Sequence, residues 1–146
     1  MENISYLRVS SENQNFDRQY EGMPKNIHKE FLEKASAAQN SKREVLDQLI
    51  DYVRHGDHIW VHSLDRLARS MADLMLILEK IGKKGASISF VKEGITIRSG
   101  EDCPSIDKLI LGTLNSVAEF ERNIIRERQA EGIRKAREKG VYVGRA

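Results

Sequence analysis

The 146-residue chain has a single cysteine, Cys103, so it cannot form an internal disulfide. One unpaired thiol suits a reducing compartment, and a cytoplasmic location is expected. Cys103 is a poor candidate nucleophile, because the acids around it in "SGEDCPS" raise a thiol pKa. The chain has no run of about 18 apolar residues, so no membrane span is expected. The opening "MENISYLRVS" lacks a basic stretch followed by an apolar one, and no signal peptide is read from it. Repeats and low-complexity stretches are missing as well. Carboxylates do not gather at the expected strand ends, which argues against a metal-dependent nuclease. His58 and His62 would share a strand face with Trp60, but about 13 Å apart, too far for one ion. No cofactor and no metal is expected.

What is present fits one globular domain. Hydrophobic residues make up 40% and charged residues 32%, an ordinary balance for a chain long enough to bury a core. The net charge of +2 is unevenly spread. From Arg122 onward eight bases (Arg122, Arg126, Arg128, Arg134, Lys135, Arg137, Lys139, Arg145) face three acids, leaving +5 on the tail and a slightly acidic body. Such a basic tail suggests an anionic partner, most often nucleic acid. A solvated helix laced by pairs such as Arg134 with Glu138 accounts for the same residues.

Apolar spacing predicts strands over 4–9, 29–34, 58–63 and 87–92, and helices over 12–23, 43–54 and 73–83. Strands alternating with helices define an α/β domain with a central, mostly parallel sheet of four to five strands flanked by helices. Gly56 and Gly85 stand where helices should stop. Residues 105–139 contain no proline and two glycines, and would form a helix of about 50 Å. Ile106, Ile110, Leu114, Val117, Phe120 and Ile124 form a stripe on its first half, for the domain or for a second subunit. The second half has little to bury and should project, with Gly140 as its C-cap.

One short stretch, "YLRVSSENQNFDRQ" (6–19), is unusual. Alternation puts Tyr6, Arg8 and Ser10 on one face of the first strand, with Leu7 and Val9 pointing into the core. Ser10 falls at the strand's C-terminal end, the sheet edge where sites form in open α/β folds. Ser11 and Gln14 also fit a capping box, and Arg8 could pair with Asp17. A second cluster, "HSLDRLARS" (62–70), carries Asp65, Arg66 and Arg69 to the same edge. Asp65 and Arg69 have the spacing of a helical ion pair. Guanidinium groups converging on a serine are what a phosphodiester needs without a metal, because arginine stays charged and binds phosphate bidentately.

These two stretches, with "AEFERNIIRERQAEGIRKAREKGVYVGR" (118–145), together resemble the catalytic domain of serine site-specific recombinases, the resolvase/invertase group, over nearly the whole chain. The resemblance implies a serine attack on DNA through a 5′-phosphoserine link, a double-stranded DNA partner, and a homodimer that pairs into a tetramer. Ser10 matches the nucleophile of the Y-x-R-V-S pattern. Arg8, Arg66 and Arg69 match the active-site arginines. Asp65 matches the family's aspartate, as acid for the leaving oxygen or as an orienter of arginine. Gln14 and Gln19 match glutamines flanking the site, and Ser36 and Arg43 match positions in the polar loop. Glu121, Arg122, Glu127 and Arg128 match a run on the long helix that contacts DNA and the partner subunit. The loop "ASAAQNSKR" is one residue longer than in resolvases, and Tyr52 stands where some members carry lysine. The expected division is a catalytic core over 1–104, a helix for oligomerisation and DNA contact over 105–140, and over 141–146 the start of a linker to a DNA-binding domain. A regulator that kept the fold and lost the chemistry is the rival reading, but its mark, a broken serine–arginine set, is missing.

Overall fold

A computed structural model describes residues 1–10, 20–35, 43–98 and 104–140. Its elements follow in the order β1 (Asn3–Ser10), β2 (Lys29–Ala35), α1 (Glu44–Tyr52), β3 (His58–Val61), α2 (Leu64–Leu67), α3 (Met71–Lys83), β4 (Ser87–Phe90), β5 (Ile95–Ile97) and α4 (Ser105–Glu138). The five strands form one sheet in the order β2-β1-β3-β4-β5. Four run parallel, and β5 returns antiparallel to β4, with Ser89 opposite Thr96. The chain steps from β1 to β2 on one side, then crosses back over β1 to β3. Direction therefore reverses beside the C-terminal end of β1, the crevice where α/β sheets hold ligands.

One face of the sheet carries the main core. Ile4 and Tyr6 of β1, Ile59 and Val61 of β3, and Ile88 and Phe90 of β4 are all buried there. They pack against Leu46 and Leu49 of α1, and Leu74, Ile77 and Ile81 of α3. Both helices place apolar residues three and four apart, which makes one apolar side. Each fully buried leucine contributes about 2 kcal/mol relative to exposure. Leu7 and Val9 are buried too, but on the opposite face from this cluster, and Tyr6 belongs to the cluster itself. The expected split of β1 into a core side and an open polar side is therefore corrected. β1 is covered on both faces, and only its last residues reach the sheet edge.

The opposite face is more polar. Trp60 stacks on His58 with ring centroids 4.6 Å apart, and its indole Nε1 donates to Asn3 Oδ1 at 3.2 Å. His58 Nε2 lies 2.6 Å from Ser89 Oγ, which lies 2.8 Å from Thr96 Oγ1. Burial, then the nearby Arg98 charge, hold the His58 pKa below its ordinary value. This histidine is held on β3 by Trp60 and Ser89.

Several boundaries differ from the sequence reading. β3 stops at Val61, and a single helical turn, α2, follows at once. α3 begins at Met71, two residues early, because Ser70 caps it by accepting from Asp73 N at 3.1 Å. Of the helix expected over 12–23, residues 12–19 lie outside the described residues, and Met23 N closes a turn on Tyr20 O at 3.1 Å. Gly85 ends the α3 connection at φ +77°, and an added Cβ there would meet His55 Nδ1 at 2.4 Å.

The long helix forms as expected, 34 residues ending near Gly140 at φ +71°. Its buried line keeps only part of the expected stripe, Leu114 with half-buried Ile110 and Ile124. Asp107, Leu114 and Ala118 are buried, with Ile110 and Leu111 partly so. Ile106, Val117 and Phe120 lie on an adjacent flank with Leu109 and stay exposed. The N-terminal turn is anchored by Asp107, which accepts from Arg98 N at 2.7 Å and pairs with its guanidinium at 3.4 Å. No described residue beyond Ala118 in α4 is buried. Among the described residues, no helix is long and apolar enough to cross a membrane.

Candidate active site

The C-terminal edge of β1 is built by the sheet register. Arg8 stands opposite Glu33 of β2, and Ser10, the last residue of β1, opposite Ala35. Ser10 enters through its backbone position. Arg8 Nη2 donates to the Asp65 carbonyl at 2.6 Å, and Arg66 Nη1 reaches the Arg8 carbonyl at 3.5 Å. Two of the expected arginines and the aspartate are thus stitched together two residues from Ser10.

Arg69 is placed by another route. α2 ends at Leu67 and Ala68 is extended, so Asp65 and Arg69 do not form a pair on one helix. Instead the Arg69 amide donates to Asp73 Oδ2 at 3.0 Å. Asp65, Arg69, Glu93 and Glu121 all line one cavity of about 260 Å³. Both glutamates are committed to backbone amides, Glu93 to Leu64 N at 3.2 Å and Glu121 to Met71 N at 3.3 Å. No group of three His, Cys, Asp or Glu side chains among the described residues is arranged to hold a metal ion.

Arg43 behaves differently from its expected place in a polar loop. It stands just before α1, donates to Leu67 O at 2.9 Å, and pairs with Asp73 at 2.7 Å. The hydrogen bond to Asp73 holds its pKa above the ordinary value. Arg43 therefore braces the loop that leads to Arg69. Gln14, Gln19, Ser36 and Arg145 lie outside the described residues, as do Ser11, Asp17 and Cys103.

The ionisation states follow from these contacts. The Ser63 hydroxyl, first, holds the Asp65 carboxyl below its usual value, against the effect of burial, so Asp65 is ionised at neutral pH. For Asp73, burial pushes upward, but the bonds from Arg43 and the Arg69 amide, with both positive charges, outweigh it. A carboxylate held below its ordinary 3.8 adds stability that is complete above that value and is lost as pH falls through the lowered pKa. Asp73→Asn is expected to flatten the acid limb of the unfolding midpoint below about pH 4, relative to the parent chain. A thermal unfolding series between about pH 2 and pH 6 checks this, and parallel curves would contradict it.

Two residues of the site escaped the sequence reading. Glu33 is 5% exposed beside Arg8, accepts from the Tyr6 hydroxyl, and takes Val45 N at 3.3 Å. Burial, then this bond, push the Tyr6 phenol far above its ordinary pKa, so it stays a neutral donor. The signal was available, since Glu33 shares a strand face with Phe31 and so falls on the core side. In the sequence Asp73 stands only as the start of a helix.

Arg8, Asp65 and Arg66 are thus joined at the sheet switch point where β1 ends in Ser10. Residues 3–142 match the family model described as "Resolvase, N terminal domain". The chain belongs to the resolvase family of serine site-specific recombinases. It is 45% identical over 142 residues to the transposon Tn501 resolvase of Pseudomonas aeruginosa, covering 97% of this chain and 74% of the relative. It is 38% identical to the Tn552 DNA-invertase BinR of Staphylococcus aureus, covering 97% and 72%. A solved resolvase-family site-specific recombinase from Streptococcus pneumoniae superposes with a TM-score of 0.72 at 28% identity, covering 94% of this chain and 99% of that one. The N-terminal catalytic domain of TP901-1 integrase shares the fold, with a TM-score of 0.62 at 23% identity and coverage of 85% and 98%.

Proposed function

We propose that this chain cleaves and rejoins double-stranded DNA through Ser10, without a metal ion. The serine oxygen attacks a backbone phosphorus, the bond to the 3′ oxygen breaks, and a 5′-phosphoserine link and a free 3′-hydroxyl result. Attack by a 3′-hydroxyl on that link releases the serine and seals a strand. Arg8, Arg66 and Arg69 supply the positive charge that the pentavalent transition state requires. Asp65, ionised by its bond from Ser63, is unsuited to protonate the leaving oxygen and fits the role of orienting the arginines. The observation that carries this reading is the Arg8–Asp65–Arg66 cluster at the end of β1, beside Ser10. Incubating the chain with labelled duplexes from the DNA flanking its gene, then denaturing, tests it. A covalent adduct that releases a phosphoserine peptide is expected, and strand cuts with no attached protein would contradict it.

In this reading residues 1–104 form the catalytic core, and 105–140 serve association and DNA contact. The basic residues of α4 (Arg122, Arg126, Arg128, Arg134, Lys135 and Arg137) and Lys139 just after it are all exposed. Lys135 pairs with Glu131 at 3.4 Å, a weak exposed bridge that leaves its charge available to phosphate. Phosphate contacts position a protein and carry no sequence information. Binding through this arm should be salt-sensitive, with Kd in the range of roughly 10⁻⁴ to 10⁻⁶ M. Replacing Arg128 or Arg134 by alanine is expected to weaken binding to cognate and scrambled duplexes alike and to lower the salt slope by about one each. Loss of affinity for the cognate duplex alone would show that these residues read bases.

The exposed flank of Ile106, Leu109, Val117 and Phe120 gives α4 a surface for a second copy, in a dimer that pairs into a tetramer when two sites join. Phe120 is 64% exposed, so Phe120→Glu should spare the fold and lower the sedimenting mass. An unchanged mass would rule out a helix-borne interface.

A further inference from the structure

The segment that carries Arg66 and Arg69 is pinned at both ends by carboxylates from elsewhere. It begins where Leu64 N donates to Glu93 Oε1 at 3.2 Å and ends where Met71 N donates to Glu121 Oε2 at 3.3 Å. These are the first amides of α2 and α3, which have no partner within their own helices. Each glutamate therefore binds where free amides and a partial positive charge meet. Between the two ends, Arg43 holds the Leu67 carbonyl at 2.9 Å and Asp73 holds the Arg69 amide at 3.0 Å.

Of these four anchors, Glu93 lies in the turn between β4 and β5, Arg43 just before α1 and Asp73 in α3. Glu121 alone belongs to α4. It lines the same cavity as Arg69 and bonds to the residue two positions after it. It also stands one turn beyond Ala118, the last buried residue of the helix. The loop between α2 and α3 is short, and Ala68 is extended. Only Ser70 stands between Met71 and Arg69, so a displacement of Met71 is close at hand to Arg69.

Resting on the recombinase reading of the site, we propose that Glu121 is a positioning residue that ties the placement of Arg69 to α4, so that the arginine segment follows the helix bearing the association flank and the basic arm. The contact is one hydrogen bond to a helix-start amide, and glutamine at this position keeps the accepting oxygen while losing the charge.

Hydrogen exchange and covalent attachment to DNA, both with the whole chain, test this. E121A is expected to speed exchange of the amides at 69–72 by about fivefold, the size of one lost cap. It should also slow adduct formation at saturating duplex by about tenfold. E121Q should stay within about threefold of the parent in both. Unchanged exchange in E121A would overturn the proposal, as would faster exchange with an unchanged attachment rate. E121Q as impaired as E121A would overturn it too, since the effect would then follow the charge of α4 and not the bond to Met71. A parent chain that forms no adduct at all would overturn the recombinase reading instead, while exchange alone still decides whether Glu121 holds the segment.

Discussion

Ser10→Ala is expected to abolish covalent attachment to DNA while leaving non-covalent binding intact. The hydroxyl is the only atom that can form the phosphoserine link in the proposed reaction, so its removal leaves no slower version of the same step. Ser11→Ala should still form the adduct, since Ser11 belongs to a helix start in the sequence reading and not to the strand end. The substitution also carries little folding risk, because Ser10 ends β1 beyond the buried Val9. Denaturing electrophoresis of the chain with labelled duplex gives a direct answer. A Ser10→Ala protein trapped on cleaved DNA would sink the assignment.

The second large effect is expected at Arg69. Arg69→Lys keeps the charge and loses the planar fork, and attachment should slow by about 10² to 10³, the cost of one misplaced donor at a developing charge. The parent should meanwhile react at full rate in EDTA, because guanidinium groups supply what a metal would otherwise supply. Loss of all cleavage in EDTA, restored by magnesium, would transfer that role to an ion. The comparison is clean because the Arg69 backbone is fixed through its amide to Asp73, and lysine leaves that bond untouched.

The sequence made the sheet legible because its strands are short apolar runs bounded by turns. β1 and β2 fall within a residue or two of their expected limits. β5 and α2 were missed for a common reason. β5 has three residues and α2 is a single helical turn, too short for an alternation or a helical repeat to show. On α4, the exposed flank and the buried line lie on neighbouring sides, and counting by threes and fours drifts from one to the other. Burial of Asp107 and Ala118 gave no apolar signal, since one is charged and the other small. At the site, motif spacing placed Arg8, Asp65 and Arg66 together, as the hydrogen bonds do. It could not foresee that Arg43 turns to Asp73, because that pairing joins residues 30 apart in sequence.

The exposed second half of α4 makes the helix a lever with its fulcrum near Glu121. From there to Gly140 the arm is about 28 Å long, at 1.5 Å per residue. A tilt of about 10° at the fulcrum swings the tip by roughly 5 Å, a distance comparable to one helical turn. In the reverse direction the same ratio divides displacement and multiplies force. Under the proposed coupling, a pull on the tip reaches the first turn of α3 as a small displacement passed through the Glu121–Met71 hydrogen bond.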